Sequence, residues 1–234
     1  MALMIDVGAN YRSIIERIAV AAAKVGRDAR EVRLLAASKA QSVDAIRAAI
    51  AAGVMLVGEN YVQEAQEKKR QLVDAKTEWH MIGHLQRNKA KLALELFDVI
   101  ESLDNLALAR ELDKAAAKRG KIVRALIEVN LAGEESKTGI AGAEVAGLLE
   151  SMSGLVRVSV EGLMTVPPFR ENLEEVRPYF RELRELRDSL NLRNFPNARL
   201  KELSMGMTHD FTVAIEEGAT IVRVGTALFG PRRS

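Results

Sequence analysis

Hydrophobic residues along this chain fall into two alternating arrangements: short continuous runs, and longer stretches in which they recur every three or four positions. Between residues 6 and 24, Ile14, Ile15, Ile18 and Ala22 keep helical spacing, which predicts a leading helix ending near Gly26. Residues 32–38 (Val-Arg-Leu-Leu-Ala-Ala-Ser) suit a short buried strand, and Ser42 is placed to cap a following helix that closes at Gly53. The unit then repeats. Predicted strands at 54–57, 79–82, 99–101 and 122–129 precede predicted helices at 61–73, 88–96, 105–119 and from about 143. Strands at 156–163 and 200–203 precede helices at 173–190 and 209–217, and a strand at 220–224 closes the series.

Eight strands alternating with helices argue for parallel pairing, because parallel neighbours need a crossover, usually a helix. In a chain of 234 residues the expected architecture is a closed (β/α)8 TIM-type barrel preceded by an extra helix. A doubly wound open sheet would more often carry a glycine-rich turn after its first strand, and Ala37-Ser-Lys-Ala-Gln41 has none. With no linker and no low-complexity stretch, one domain is expected, a leading helix over 1–26 and the barrel over 32–230.

Barrels of this kind carry their chemistry at the C-terminal ends of the strands. Polar residues collect at those ends: Ser38-Lys39, Glu59-Asn60, His84, Glu101-Ser102, Glu128 and Asn130, Thr165, Ser204, and Arg223 with Gly225-Thr226. On strand alternation Lys39 shares a face with Leu35 and Ala37 and points into the barrel near its top. Partial desolvation there frees the amine for attack on an aldehyde; the alternative is a lysine snorkelling to solvent. Arg223 lies within an apolar strand, where a buried guanidinium needs an acceptor. Glu128 or Glu161 could supply one, and a pyridine ring nitrogen is another. The segment Ser204-Met-Gly-Met-Thr208 and the pair Gly225-Thr226 follow strands seven and eight, the common phosphate-binding position of this fold.

Composition narrows the picture by exclusion. The chain has no cysteine, so disulfides, thiolate nucleophiles and cysteine metal sites are ruled out. A net charge of +2 with basic and acidic residues interspersed gives no nucleic-acid footprint. No apolar run approaches the ~20 residues needed to span a bilayer, and residues 1–7 do not resemble a signal peptide, so a cytoplasmic protein is expected. His80, His84 and His209 lack metal-site spacing and are expected to hydrogen-bond, and the run from Arg177 to Arg187 reads as a solvated helix face. Lys137, Arg232 and Arg233 are basic groups near loops, which either lie in solvent or touch a second phosphate or a partner.

Many short segments, in order, resemble the pyridoxal phosphate homeostasis proteins (the YggS/PROSC family) over essentially the whole chain. They include Leu34-Leu-Ala-Ala-Ser-Lys39, Gly58-Glu-Asn-Tyr-Val-Gln-Glu64, Trp79-His-Met-Ile-Gly-His-Leu-Gln86, Gly133-Glu-Glu-Ser-Lys-Thr-Gly139, Leu203-Ser-Met-Gly-Met207 and Arg223-Val-Gly-Thr226. The resemblance implies a barrel similar to the N-terminal domain of alanine racemase (fold type III), carrying pyridoxal 5′-phosphate (PLP) as a Schiff base on Lys39. It further implies Ser204, Gly225 and Thr226 at the phosphate, Arg223 at the pyridine nitrogen, and Asn60 and His84 around the ring. Ala40-Gln41 and Thr208 depart mildly from the family pattern.

If Arg223 donates to the pyridine nitrogen, that nitrogen is unprotonated and the ring is a poor electron sink. Racemases of this fold compensate with a tyrosine from a C-terminal β-domain, which does not follow the eighth unit here. Of Tyr11, Tyr61 and Tyr179, only Tyr61 falls near the expected site. A non-enzymatic carrier acting in intracellular PLP (vitamin B6) homeostasis and delivery to apoenzymes, as a monomer or weak dimer, is therefore expected. A weak or narrow amino-acid racemase is the alternative; a class I aldolase-type barrel using Lys39 on a sugar phosphate is a more distant one.

Overall fold

The sequence alternation closes on itself in space. The computed structural model describes residues 5–73, 75–134 and 137–231. Its barrel strands are β1 (Arg33–Ala37), β2 (Leu56–Glu59), β3 (Glu78–Met81), β4 (Val99–Leu103), β5 (Val123–Asn130), β6 (Val158–Met164), β7 (Ala198–Ser204) and β8 (Ile221–Val224). Each pairs in parallel with the next in sequence, β8 returns to β1, and the expected eight-stranded closed barrel results.

The helices are α1 (Val7–Lys24), α2 (Val43–Ala52), α3 (Val62–Gln71), α4 (Ala90–Leu96), α5 (Leu106–Ala117), α6 (Val145–Ser151), α7 (Arg177–Asn191), α8 (Phe211–Glu216) and α9 (Thr226–Phe229). The leading helix α1 packs on α2, α8 and α9, burying Ile14, Ile18 and Ala22 as its spacing predicts. Ser42 caps α2 as expected, its Oγ accepting the Ala45 N–H at 3.2 Å, and Gly53 ends it in a left-handed conformation.

Several boundaries shift. The helix expected over 173–190 divides into a 3-10 turn at Leu173–Glu175 and α7, whose first turn contains Pro178. Proline lacks the N–H that an interior position would need, so it fits the start of a helix. The helix expected over 209–217 shortens to α8, because Asp210 precedes it and turns its carboxylate back to the Met207 N–H at 2.6 Å. A two-residue strand, Ile140–Ala141, pairs outside the barrel with β5 and has no hydrophobic run to betray it.

Alternation along the strands separates two interiors. Outward residues such as Trp79 pack with Phe180, Phe211, Ile18 and Leu108 in the main core between barrel and helices. Inside the barrel are two small apolar groups, one of Leu35, Leu56 and Ile221 with Ile82, the other of Val99, Leu126 and Met164. Between them the barrel is ionic, with His80, Glu101, Ser204 and Arg223 all buried.

Candidate functional site

Lys39 stands two residues beyond the end of β1, half-buried, on the wall of a cavity of about 370 Å³. Asn60, Thr208, Arg223, Gly225 and Thr226 share that wall. The volume falls in the few-hundred-Å³ range of small-molecule sites. The Lys39 Nζ lies 5.2 Å from the centroid of the Tyr61 ring, a cation–π distance, and Tyr61 lines a recess beside this cavity.

The turn that presents Lys39 is held on both sides. Before it, the Ser38 Oγ donates to Glu59 Oε1 at 2.5 Å, and the Ser38 carbonyl accepts from Lys68 Nζ at 2.7 Å. After it, the Ala40 N–H donates to Glu64 Oε1 at 2.6 Å. Lys68, on α3, binds Glu59 at 2.6 Å and Glu64 at 2.7 Å, joining the two halves. Burial pushes the Glu59 carboxyl up from its ordinary value, against its bonds to Lys68 and Ser38. Ala40 adopts a φ of 59°, costly for a residue with a Cβ, and the surrounding bonds maintain it.

Arg223 points inward from β8, level with Leu35 of β1, and is 5% exposed. Its Nη1 donates to Ser204 Oγ and its Nη2 to the Thr165 carbonyl, each at 2.7 Å. The acidic partners expected from the sequence are occupied elsewhere: Glu161 binds Arg124 at 2.8 Å, and Glu128 accepts from the Thr138 hydroxyl at 2.6 Å. The carboxylate behind Arg223 is instead Glu101, reached through Ser204, whose hydroxyl donates to Glu101 Oε2 at 2.5 Å. Burial lowers the Arg223 pKa from its ordinary value, opposed by the negative charge of Glu101.

Ser204 therefore departs from its expected place. Its side chain is fully buried beneath the cavity, with its hydroxyl committed to Arg223 and Glu101. Of Ser204 and Thr208, it is Thr208 that lines the cavity, and its hydroxyl accepts the Ala227 N–H at 3.2 Å. The loop between them folds back because Gly206 adopts a φ of 89°. A Cβ there would lie 2.6 Å from that of Ala214, and the Gly206 carbonyl accepts the Arg223 N–H at 2.9 Å. Gly225 and Thr226 lie where β8 turns into α9, as expected, and both line the cavity.

Asn60 lines the main cavity and two adjoining recesses of about 330 and 320 Å³, so the three form one mouth. His84 borders both recesses but not the main cavity; its side chain is 49% exposed, and its Nδ1 is 3.9 Å from Asp104 Oδ2. Gly83 allows these loops to meet, since a Cβ there would lie 2.6 Å from the Asn60 carbonyl oxygen. His209 lies on the main cavity wall with its ring 5.2 Å from that of Phe169. Lys137 borders the second recess and pairs with Glu134 at 3.1 Å, while Arg232 and Arg233 lie outside the described residues. His80 is buried inside the barrel between Glu101 and Glu78. No cluster of His, Asp and Glu suited to a metal occurs among the described residues.

The family model for the alanine racemase N-terminal domain matches residues 10–233. A pyridoxal phosphate homeostasis protein of Aquifex aeolicus is 49% identical over 220 residues, covering 94% of this chain and 96% of that protein. The chain belongs to the pyridoxal phosphate homeostasis protein family. A solved member-like structure, PipY of Synechococcus elongatus with PLP bound, is 38% identical with a TM-score of 0.81, covering 93% of this chain and 100% of that one. Alanine racemase of Corynebacterium glutamicum, 16% identical with a TM-score of 0.69, shares the fold; the match covers 94% of this chain and 61% of the racemase. Family and fold thus agree with the barrel and the family resemblance read from the sequence.

Proposed function

We propose that this chain binds PLP covalently on Lys39 and serves intracellular PLP homeostasis as a carrier. The reading rests on one observation above all: Lys39, in the turn after β1, and the buried Arg223, on the neighbouring strand β8, line one cavity bordered by Gly225, Thr226 and Thr208. PLP supplies an aldehyde that condenses reversibly with an amine. In this reading Lys39 provides that amine and Arg223 the donor at the ring nitrogen. The hydroxyls of Thr208 and Thr226, with the Gly225 backbone, hold the phosphate. Asn60 borders the ring, while His84, on the outer rim, guards the entrance. Ser204 serves the site through Arg223 and not through the phosphate.

The names of the relatives and the PLP-bound neighbour support both cofactor and role. We place the protein in the cytoplasm, as one PLP-binding domain that passes its cargo to PLP-dependent apoenzymes and has no racemase activity of its own. Among the described residues no helix is long and apolar enough to cross a membrane.

Borohydride reduction of the PLP-loaded protein followed by peptide mass mapping tests the site. A phosphopyridoxyl label on Lys39 is expected, and Lys39→Ala should lose both label and visible absorbance. A label on another lysine, or an unchanged spectrum in Lys39→Ala, overturns the assignment. Incubation with single L-amino acids should yield no D-isomer; its appearance would make the protein an enzyme.

A further inference from the structure

We propose that Glu101 and His80 are positioning residues for the bound cofactor: acting through Ser204, they hold the charged Arg223 guanidinium in place against the pyridine nitrogen. The proposal rests on the PLP reading above.

The two direct partners of Arg223, the Ser204 hydroxyl and the Thr165 carbonyl, are neutral. Neither balances a guanidinium that is 5% exposed, and a buried charge without a counter-ion is costly. Ser204 has one proton, and it points to Glu101 at 2.5 Å, so its lone pairs are turned toward Arg223. The link has a fixed direction, from guanidinium to hydroxyl to carboxylate.

Glu101, fully buried, receives His80 Nδ1 on its other oxygen at 2.5 Å. His80 Nε2 reaches Glu78 at 3.1 Å, Arg124 binds the same Glu78 oxygen at 2.8 Å, and Arg124 also binds Glu161 at 2.8 Å. Charge thus alternates from Arg223 at the mouth, through Glu101, His80, Glu78 and Arg124, to Glu161. Two other carboxyls lie near Arg223 but are differently engaged: Glu128 accepts from Thr138, and Asp210 accepts from the Met207 N–H. Burial pushes both of those up from their ordinary values. Burial acts on Glu101 in the same sense, but its bonds and charged neighbours outweigh it and bring it below.

Barrel stability alone does not call for this column. Interiors of this fold are ordinarily layers of branched apolar residues, and a buried ion pair is weak support for stability. The groups flanking the column, Leu35, Leu56 and Ile221 on one side and Val99, Leu126 and Met164 on the other, are of that apolar kind. The ionic residues run instead to the one arginine that enters the cavity.

The test titrates apo wild type, Glu101→Gln, His80→Gln and Ser204→Ala with PLP and with the carbocyclic analogue in which CH replaces the ring nitrogen. Each variant should bind PLP about tenfold or more weakly, the loss of roughly one charge-assisted link, and should shift the visible band of the loaded protein. For the carbocyclic analogue the loss should fall below about twofold, because the group that Arg223 serves is gone. Equal losses for both ligands would reduce the column to a structural role and overturn the proposal, as would unchanged affinity and spectrum. If Glu101→Gln or His80→Gln does not fold by circular dichroism, Ser204→Ala, a smaller change, decides the matter by the same ratio. Failure of wild type to bind PLP at Lys39 would instead sink the underlying functional reading.

Discussion

Glu64 holds the residue that follows Lys39: its Oε1 accepts the Ala40 N–H at 2.6 Å while Lys68 binds the same oxygen at 2.7 Å. The turn carrying the amine is therefore fastened to α3 and not only to its own strand. Glu64→Ala removes a hydrogen bond to a charged acceptor and releases Ala40 from its left-handed conformation. A hydrogen bond of this kind contributes ~1.5–3 kcal/mol. PLP affinity should fall about tenfold, measured by absorbance titration. Unchanged affinity would show that β1 alone positions Lys39.

Thr208 presents its hydroxyl to the cavity, whereas Ser204 does not. Thr208→Val should weaken binding of PLP about tenfold and leave binding of unphosphorylated pyridoxal nearly unchanged, the expected loss of one hydrogen bond to an anion. Competition between the two ligands reads the difference directly. Equal weakening of both would place the phosphate elsewhere.

Gly83 touches the backbone of Asn60 closely enough that an added Cβ would lie 2.6 Å from its carbonyl oxygen and 2.7 Å from its Cα. The two nearest atoms are Asn60 backbone, with no flexible side-chain end to yield. Gly83→Ala should lower stability by about 1–3 kcal/mol and open the mouth at Asn60. Urea unfolding together with PLP titration checks both effects, and a fully stable variant would contradict the packing described.

Burial opposes charge on His80, but its bonds to Glu101 and Glu78 outweigh it and raise the imidazole from 6.5 to about 9. A group whose pKa is raised on folding stabilises fully below its unfolded value, and that stabilisation fades as pH rises through the folded one. The folded protein should therefore lose stability between about pH 6.5 and 9, by about 3 kcal/mol if His80 titrates alone. Urea denaturation across that range should show the slope, and His80→Gln should flatten it. Hydrogen bonding to His80, against burial, holds Glu78 near 2, so a separate loss of stability is expected as pH falls from 4.5 toward that value.

The sequence by itself determined the architecture, because hydrophobic periodicity and caps are local signals. Ser42 and Gly53 bound α2, and the alternation Leu35, Ala37, Lys39 fixed which side of β1 meets the barrel interior. Lys39, Arg223, Gly225 and Thr226 were legible as site candidates for the same reason, since strand ends of a closed barrel converge. Partners across the barrel were not legible. Glu101 and Ser204 are 103 residues apart yet hydrogen-bonded, and Arg223 meets neither of the acids its setting suggested. Nor could spacing decide between Ser204, at the end of β7, and Thr208, four residues on in the loop that follows; the backbone reversal at Gly206 leaves Ser204 buried and Thr208 on the cavity wall. Only tertiary structure decided these, because strand order and register, not sequence distance, set which inward side chains share a layer.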